Sequence, residues 1–429
     1  MSLNRRILAT MTALAIAAAL VGCGKGQGSG NTVTLRLMTG WGYPKVKTAV
    51  DGLIADFENE HPRIHIEHQA LDDQSYPAAL RASFTSGDNL PDIYETEYEY
   101  AGYHARAGNA MDLTDWVKAH QDRFQHEGFV DSQRLRKSGR VYGVPYSAVN
   151  MTQVFYNVDL LKKHGISPPR SWQEFLDACA RLKKAGVTPI ALGAKSEFTV
   201  AHWGDMLIAK QAGLDVVDKV AEGNLPWDNP DFARGLERLA ELRKLGYLSP
   251  GCVSDGYMES MAYWISGRAA FFHTGSWLVA EIIAPKSFHW DFFAFPDLPG
   301  GKAQTGENVA VANEGFQVAA KTKHPKECLA FIEYITRPEV AAKHWVAIGK
   351  VSPIRGANEK ASAKVRKVAE LIAAGKRTVP YGLMRHIDED FPEEAERAFA
   401  QYLIGMLAGN RTPRQVLQAV DAARKARRR

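Results

Sequence analysis

The chain has 429 residues, 45% of them apolar and 10% aromatic, with a formal charge of +5 at neutral pH. That is too much material for one ordinary domain, so two lobes with sizeable cores are expected. The positive charge lies at the ends: Arg5 and Arg6 near the start and Arg424, Lys425, Arg427, Arg428 and Arg429 in the tail exceed the whole surplus, which leaves the body slightly acidic. A nucleic-acid partner needs a basic face on the folded domain, so that class is excluded; the tail reads as a solvated helix end, where cations oppose the negative dipole.

After Arg5 and Arg6 comes an apolar run, Ile7 to Val21, closed by small residues, the layout of a secretory signal. A helix that crosses the hydrocarbon core needs about 20 apolar residues, so a retained membrane helix is the weaker reading. Leu20-Val21-Gly22-Cys23 then resembles the lipobox of bacterial lipoproteins. The resemblance implies that residues 1–22 leave as a signal peptide and that Cys23 carries lipid, tethering to a membrane a protein that folds in water. Gly24 to Asn31 has the composition of a flexible tether. Its glycines do not fit a phosphate loop, since no strand precedes them and no helix pattern follows at once. Cys179, Cys252 and Cys328 form an odd set without metal-ligand spacing, able to make at most one disulfide and best read as small buried apolar side chains.

Val33, Leu35 and Leu37 read as a strand, and Val46, Val50, Leu53, Ile54 and Phe57 share one helical face until His61-Pro62 stops it. A strand at Ile64 to Glu67, a helix around Ala79 to Phe84 and a short strand at Asp92 to Tyr94 follow. This alternation predicts an α/β layer with a largely parallel sheet. Ligands of such sheets sit at the carboxyl ends of strands, here after Leu37, Glu67 and Tyr94. A second α/β unit begins near residue 150, because Val141 to Pro145 and Gln153 to Tyr156 are strand-like runs separated by the polar Ser147 to Thr152. Ser171-Trp172-Gln173-Glu174 is a capping box for a helix that Gly186 ends. Asn229-Pro230 opens another, with Phe232, Leu236, Leu239 and Leu242 as its apolar stripe before Gly246. Gly315 to Ala319 reads as a strand and Pro325 to Thr336 as a helix; after Pro338 the chain is mainly helical, with Thr412-Pro413 opening the last helix.

A series of short motifs runs through this frame: Phe57-Glu58-Asn59-Glu60-His61-Pro62, Ser86-Gly87-Asp88 before Pro91-Asp92-Ile93, and Val141-Tyr142-Gly143-Val144-Pro145-Tyr146. Phe155-Tyr156-Asn157, Pro168-Pro169-Arg170-Ser171-Trp172-Gln173-Glu174-Phe175, Ser266-Gly267-Arg268-Ala269-Ala270, Gly275-Ser276-Trp277 and Lys323-His324-Pro325 continue it. Their order behind a lipobox resembles the family 1 extracellular solute-binding proteins of carbohydrate ABC transporters, the group that includes maltose-binding protein. The resemblance implies a two-lobe periplasmic-binding-protein fold of type II, α/β in both lobes, with the chain crossing a hinge near Ser147 to Met151, Val311 to Glu314 and Gly349 to Pro353. The lobes are then residues 32–148 plus about 312–350 and residues 149–311 plus about 351–429. A sugar held in the cleft favours the closed state by its extra contacts there, and the importer's permease subunits recognise that shape.

A pyranose offers an apolar face and a ring of hydroxyls, so its site needs aromatic surfaces beside strong acceptors and donors. Trp277 leads the candidates, because Gly275-Ser276 ends a strand-like run and the family commonly stacks a sugar at this tryptophan; Tyr257 precedes it on a helix. Trp41 and Tyr43 follow the first strand among glycines that let the backbone approach a ligand. Glu95 and Glu97 follow the third strand as hydroxyl acceptors, and Asp73 and Gln74 follow the second. In the second lobe Trp203 is preferred to its neighbour His202, which has an equally good core reading, and Asn150 lies in the crossing segment. Glu314 stands at the return crossing and Arg385 in a loop of the C-terminal helices, where Tyr381 or Met384 is the alternative neighbour.

Sharper readings fail. His61, His65 and His68 do not make a metal set, since Pro62 breaks the helix and His65 and His68 face opposite sides of a strand. The acidic run from Asp388 to Glu396 fits a helix start, and Gly275-Ser276-Trp277 lacks the second glycine of a nucleophile elbow. No cofactor is called for and a monomer is expected, extracytoplasmic on the periplasmic side or on the outer face of a single membrane. The competing functions are a secreted glycoside hydrolase, which uses paired carboxylates in a sugar cleft, and a sugar sensor or adhesion lipoprotein.

Overall fold

The computed structural model describes residues 32–427 apart from 41, 43, 73–74, 97, 126–128, 131, 136–137, 222–223, 282–287, 304–306, 310, 376 and 380–392. Its strands are β1 (Val33–Thr39), β2 (Ile64–Ala70), β3 (Ile93–Thr96), β4 (Val144–Asn150), β5 (Gln153–Asn157), β6 (Thr188–Ala191), β7 (Ala269–His273), β8 (Trp290–Ala294), β9 (Glu307–Val309), β10 (Val311–Val318) and β11 (Arg377–Val379). They form a first sheet in the order β2-β1-β3-β10-β4, a second in the order β6-β7-β5-β8, and a small pair, β11-β9.

The first three strands run parallel, as the alternation with helices predicts. The sheets as wholes are mixed, where a largely parallel layer was expected. β10 pairs antiparallel with β3 and β4, and β5 pairs antiparallel with β7 and β8. The reason is the traffic between the two sheets. β10 enters the first sheet at the end where β1 and β3 finish, so it must run against them.

The polar Ser147 to Thr152, expected to separate two strands, is mostly strand. Ser147 to Asn150 belong to β4 and pair with Glu314 to Val311 of β10. Only Met151 and Thr152 separate β4 from β5. The polar groups are buried and, Asn150 Nδ2 and Gln153 Oε1 excepted, paired within the fold: Asn150 Oδ1 accepts from the Thr152 amide (2.8 Å) and hydroxyl (2.7 Å). The Gln153 side-chain amide donates to the carbonyls of Asn150 (2.7 Å) and Thr274 (2.8 Å).

Capping follows the sequence closely. Asn229 Oδ1 accepts from the Asp231 and Phe232 amides at the start of helix Pro230–Lys244. Ser171 Oγ accepts from the Glu174 amide (3.2 Å), but the Glu174 carboxylate takes the Arg170 amide (2.8 Å), so half of the expected box shifts by one residue. Cys179, Cys252 and Cys328 are free thiols in buried positions.

One core lies around the second sheet, where Trp172, Phe175, Trp203 and Phe271 meet the C-terminal helices at Phe399, Leu403 and Val416. The other joins the first sheet to one face of the second: Phe57, Phe316 and Phe331 are continuous, through Trp345, Ile354 and Val365, with Phe155, Phe272 and Phe292. The chain stays beside the first sheet through Arg355, because the Gln125 amide donates to Pro353 O (2.9 Å) and the Arg355 amide to Arg123 O (2.7 Å).

Candidate functional site

The carboxyl ends of β1, β2 and β3 are laced together. The Leu71 amide donates to Thr39 O (2.9 Å), the Gly42 amide to Leu71 O (2.8 Å), and the Gly40 amide to Glu95 Oε2 (3.1 Å). Glu95 is 4% exposed at the end of β3, and Tyr76 donates its hydroxyl to the Glu95 carbonyl. A carboxylate is thus fixed at the strand-end position where the parallel arrangement expects a ligand. Trp41, Tyr43, Asp73, Gln74, Glu97, Tyr381, Met384 and Arg385, with Cys23, lie outside the described residues.

The second half contributes a cluster of four rings. Trp277 follows β7, and its indole N–H donates to Tyr257 Oη (2.9 Å), which in turn donates to Glu281 Oε2 (2.6 Å). His202 lies against Trp277 with ring centroids 5.8 Å apart, and Phe198 lies 5.4 Å from Tyr257 and 6.4 Å from Trp277. Tyr257 is nearly buried, Trp277 half-buried, and Phe198 is 41% exposed. Burial, then the Glu281 carboxylate, pushes the Tyr257 phenol well above its ordinary range, so it remains a neutral donor. Burial, with His273 nearby, brings the His202 imidazole down to about 3, so this ring too is neutral at physiological pH. The result is an uncharged aromatic surface, partly open, suited to the apolar face of a polyhydroxylated molecule.

Trp203 does not join this surface. It is 0% exposed and packs edge-on against His273 (4.9 Å) and Phe295 (5.8 Å) in the core. Its neighbour His202 reaches Trp277 instead, because adjacent helical residues point about 100° apart. Phe198 escaped the sequence reading; its signal is the spacing of four to His202, which places both on one helix face.

Asn150 and Glu314 are committed to the crossing segments. Asn150 is fully buried, and its backbone amide donates to Ser276 Oγ (3.0 Å), so β4 is tied to the turn that carries Trp277. Glu314 accepts from Tyr146 Oη (2.8 Å) and from Ser147 of β4, and forms an ion pair with Lys350. A register shift between Glu314 and Gly315 marks a bulge, a device that re-aims a side chain. All three expected crossings therefore meet at one carboxylate. Burial raises its pKa, but the Lys350 ammonium and the hydrogen bonds from Lys350, Tyr146 and Ser147 outweigh that and hold it below the usual carboxylate value. Lys350 was not legible as a partner, since nothing in the spacing couples it to Glu314.

His61, His65 and His68, which make no metal set, have separate partners. His61 stacks on Phe57, His65 meets Glu58, and His68 bridges Thr39 and Asp51.

The sequence profile of the bacterial extracellular solute-binding proteins matches residues 42–342. The chain is 25% identical over 349 residues to the multiple sugar-binding protein of Streptococcus mutans, covering 79% of this chain and 80% of that one. Among solved structures, a chitin oligosaccharide binding protein superposes with a TM-score of 0.79 at 22% identity, covering 92% of this chain and 99% of the other. The solute-binding protein RafE in complex with raffinose superposes with a TM-score of 0.73 at 22% identity, covering 91% and 98%. The two sheets, the crossing strands and the helices around them thus form the two-lobe fold of these proteins. With the profile spanning most of its length, the chain belongs to the bacterial extracellular solute-binding protein family.

Proposed function

We propose that the protein binds a sugar or oligosaccharide between its lobes and delivers it to the membrane permease of an ABC importer, without cleaving it. The observation that carries this reading is the uncharged four-ring surface of Phe198, His202, Tyr257 and Trp277 in a fold whose other half fixes Glu95 at a strand end. Rings take the apolar face of a pyranose, and the carboxylate takes a hydroxyl. The names of the relatives above, which bind sugars and oligosaccharides, support the same class. Trp41, Tyr43, Gln74, Glu97 and Arg385 complete the proposed ligand set, while Asn150 and Glu314 serve the hinge.

The test is a thermal-shift panel of mono- and oligosaccharides. A ligand at a hundredfold excess over its Kd stabilises the native state by about 2.7 kcal/mol, so the cognate sugar should raise the melting temperature and be recovered intact after prolonged incubation. No response across the panel would overturn the sugar reading. Products in excess over protein, lost in Glu95→Gln, would replace transport with hydrolysis.

The lipid anchor is part of the proposal. Cys23 follows an apolar run and precedes a polar tether, so the mature protein should fractionate with membranes and Cys23→Ala should release it. Retention of that variant through a carbonate wash would remove the anchor.

A further inference from the structure

The turn that follows Trp277 is gripped from two sides. On one side is Gly349, with φ 102°. A Cβ there would stand 2.8 Å from Ala280 Cα and 3.1 Å from Val279 O. Only glycine permits both the backbone angle and the approach. On the other side is Lys45, at the start of helix Pro44–Glu60 in the half that carries the first sheet. Its Nζ donates to Ala280 O at 2.5 Å, joining residues 235 apart in sequence. The turn's own amides close back on Trp277, since Ala280 N donates to Trp277 O (2.8 Å) and Glu281 N does so at 3.1 Å. Glu281 also holds Tyr257, and through it the Trp277 indole.

The surroundings of Lys45 make this bond matter. Pro44, Lys45, Thr48 and Ala49 line one wall of a hollow of about 480 Å³, with Lys343, His344 and Ile348 across from them. The Lys45–Ala280 hydrogen bond is charge-assisted and stands at the edge of this hollow, beside the close approach of Gly349 to Ala280. Lys343 and His344 are engaged with Asp56 and do not substitute for it.

We propose that Lys45 is a positioning residue that latches one lobe onto the ligand-bearing turn of the other, biasing the ligand-free protein towards the closed arrangement and holding the Trp277–Glu281 turn in register for its ligand. Lys45 acts through Ala280 and Trp277 and does not touch the solute. A group that favours the binding-competent state raises apparent affinity by the population it adds. The effect on affinity rests on the sugar-binding reading above; the effect on lobe arrangement does not.

Lys45→Met keeps the length and apolar stem and removes the donor. Small-angle scattering of the ligand-free proteins should give a larger radius of gyration for Lys45→Met than for the parent, with Lys45→Arg restoring the parent value. For the sugar found by the panel, Lys45→Met should bind about tenfold more weakly and reach the parent's radius at saturation. An unchanged ligand-free radius overturns the latch whether or not a sugar has been found. Weakened binding with an unchanged ligand-free radius overturns it too, by placing Lys45 on the ligand. If no sugar binds either protein, the sugar reading fails while the ligand-free radii still decide the latch.

Discussion

Lys350→Met is expected to destabilise the fold by about 3–5 kcal/mol, the cost of leaving one partner of a buried ion pair without the other. The pair is well enclosed, with 9% of the Lys350 side chain and 17% of the Glu314 side chain exposed. Removing the ammonium leaves a carboxylate held by Tyr146 and Ser147 at the junction of all three crossings. The pH dependence fixes the sign. Glu314 has a folded pKa held below its ordinary value of 4.5. A depressed carboxyl contributes stability that is present above the unfolded pKa and lost as pH falls through the folded one. In Lys350→Met the burial stays and the ammonium goes, so the carboxyl pKa rises and the variant tolerates acid better than neutrality. Urea midpoints at constant m should therefore show a deficit at pH 7 that begins to narrow as pH falls through the variant's raised carboxyl pKa, above the ordinary 4.5, and goes on narrowing through the parent's depressed one. Lys350→Met with Glu314→Gln should recover most of the loss, because a neutral amide can be buried at lower cost. A single variant as stable as the parent at pH 7 would show that the ion pair does not hold the crossings together.

Legibility from sequence followed the kind of force at work. Helix limits set by local chemistry came through, because Asn229, Pro230 and Pro62 act on their immediate neighbours. The parallel run of β1, β2 and β3 was also legible, since strand and helix alternate there. What failed was non-local. The crossing strand Ser147–Asn150 looks like a loop by composition, and as a strand it is supported by pairing with β10 and by Ser276, Thr152 and Gln153, which take up the backbone amide, Oδ1 and carbonyl of Asn150. Glu314 looked like a ligand acceptor because polar residues at a hinge and in a cleft look alike until a partner such as Lys350 is placed. His202 and Trp203 are adjacent, and only the phase of helix Glu197–Ala212 decides which one faces Trp277.

That phase yields a paired prediction in which stability and binding separate. Trp203 is wholly buried against His273 and Phe295, so Trp203→Ala empties a core site and should cost about 3–5 kcal/mol of folding stability. Trp277 is half-buried on the open aromatic surface, so Trp277→Ala should leave the fold much closer to the parent while weakening sugar binding by about 1–3 kcal/mol, roughly 5- to 150-fold in Kd. The Trp277 indole also orients Tyr257, which places the loss nearer the upper end for a ligand that stacks on both rings. Urea unfolding measures the first effect and calorimetric titration the second, at a temperature where both variants remain folded. Intrinsic fluorescence should respond to sugar in the parent and in Trp203→Ala, and respond less in Trp277→Ala. A Trp277→Ala protein with the parent's Kd, or a Trp203→Ala protein that keeps its stability but loses the sugar, would move the binding surface to the other side of the helix.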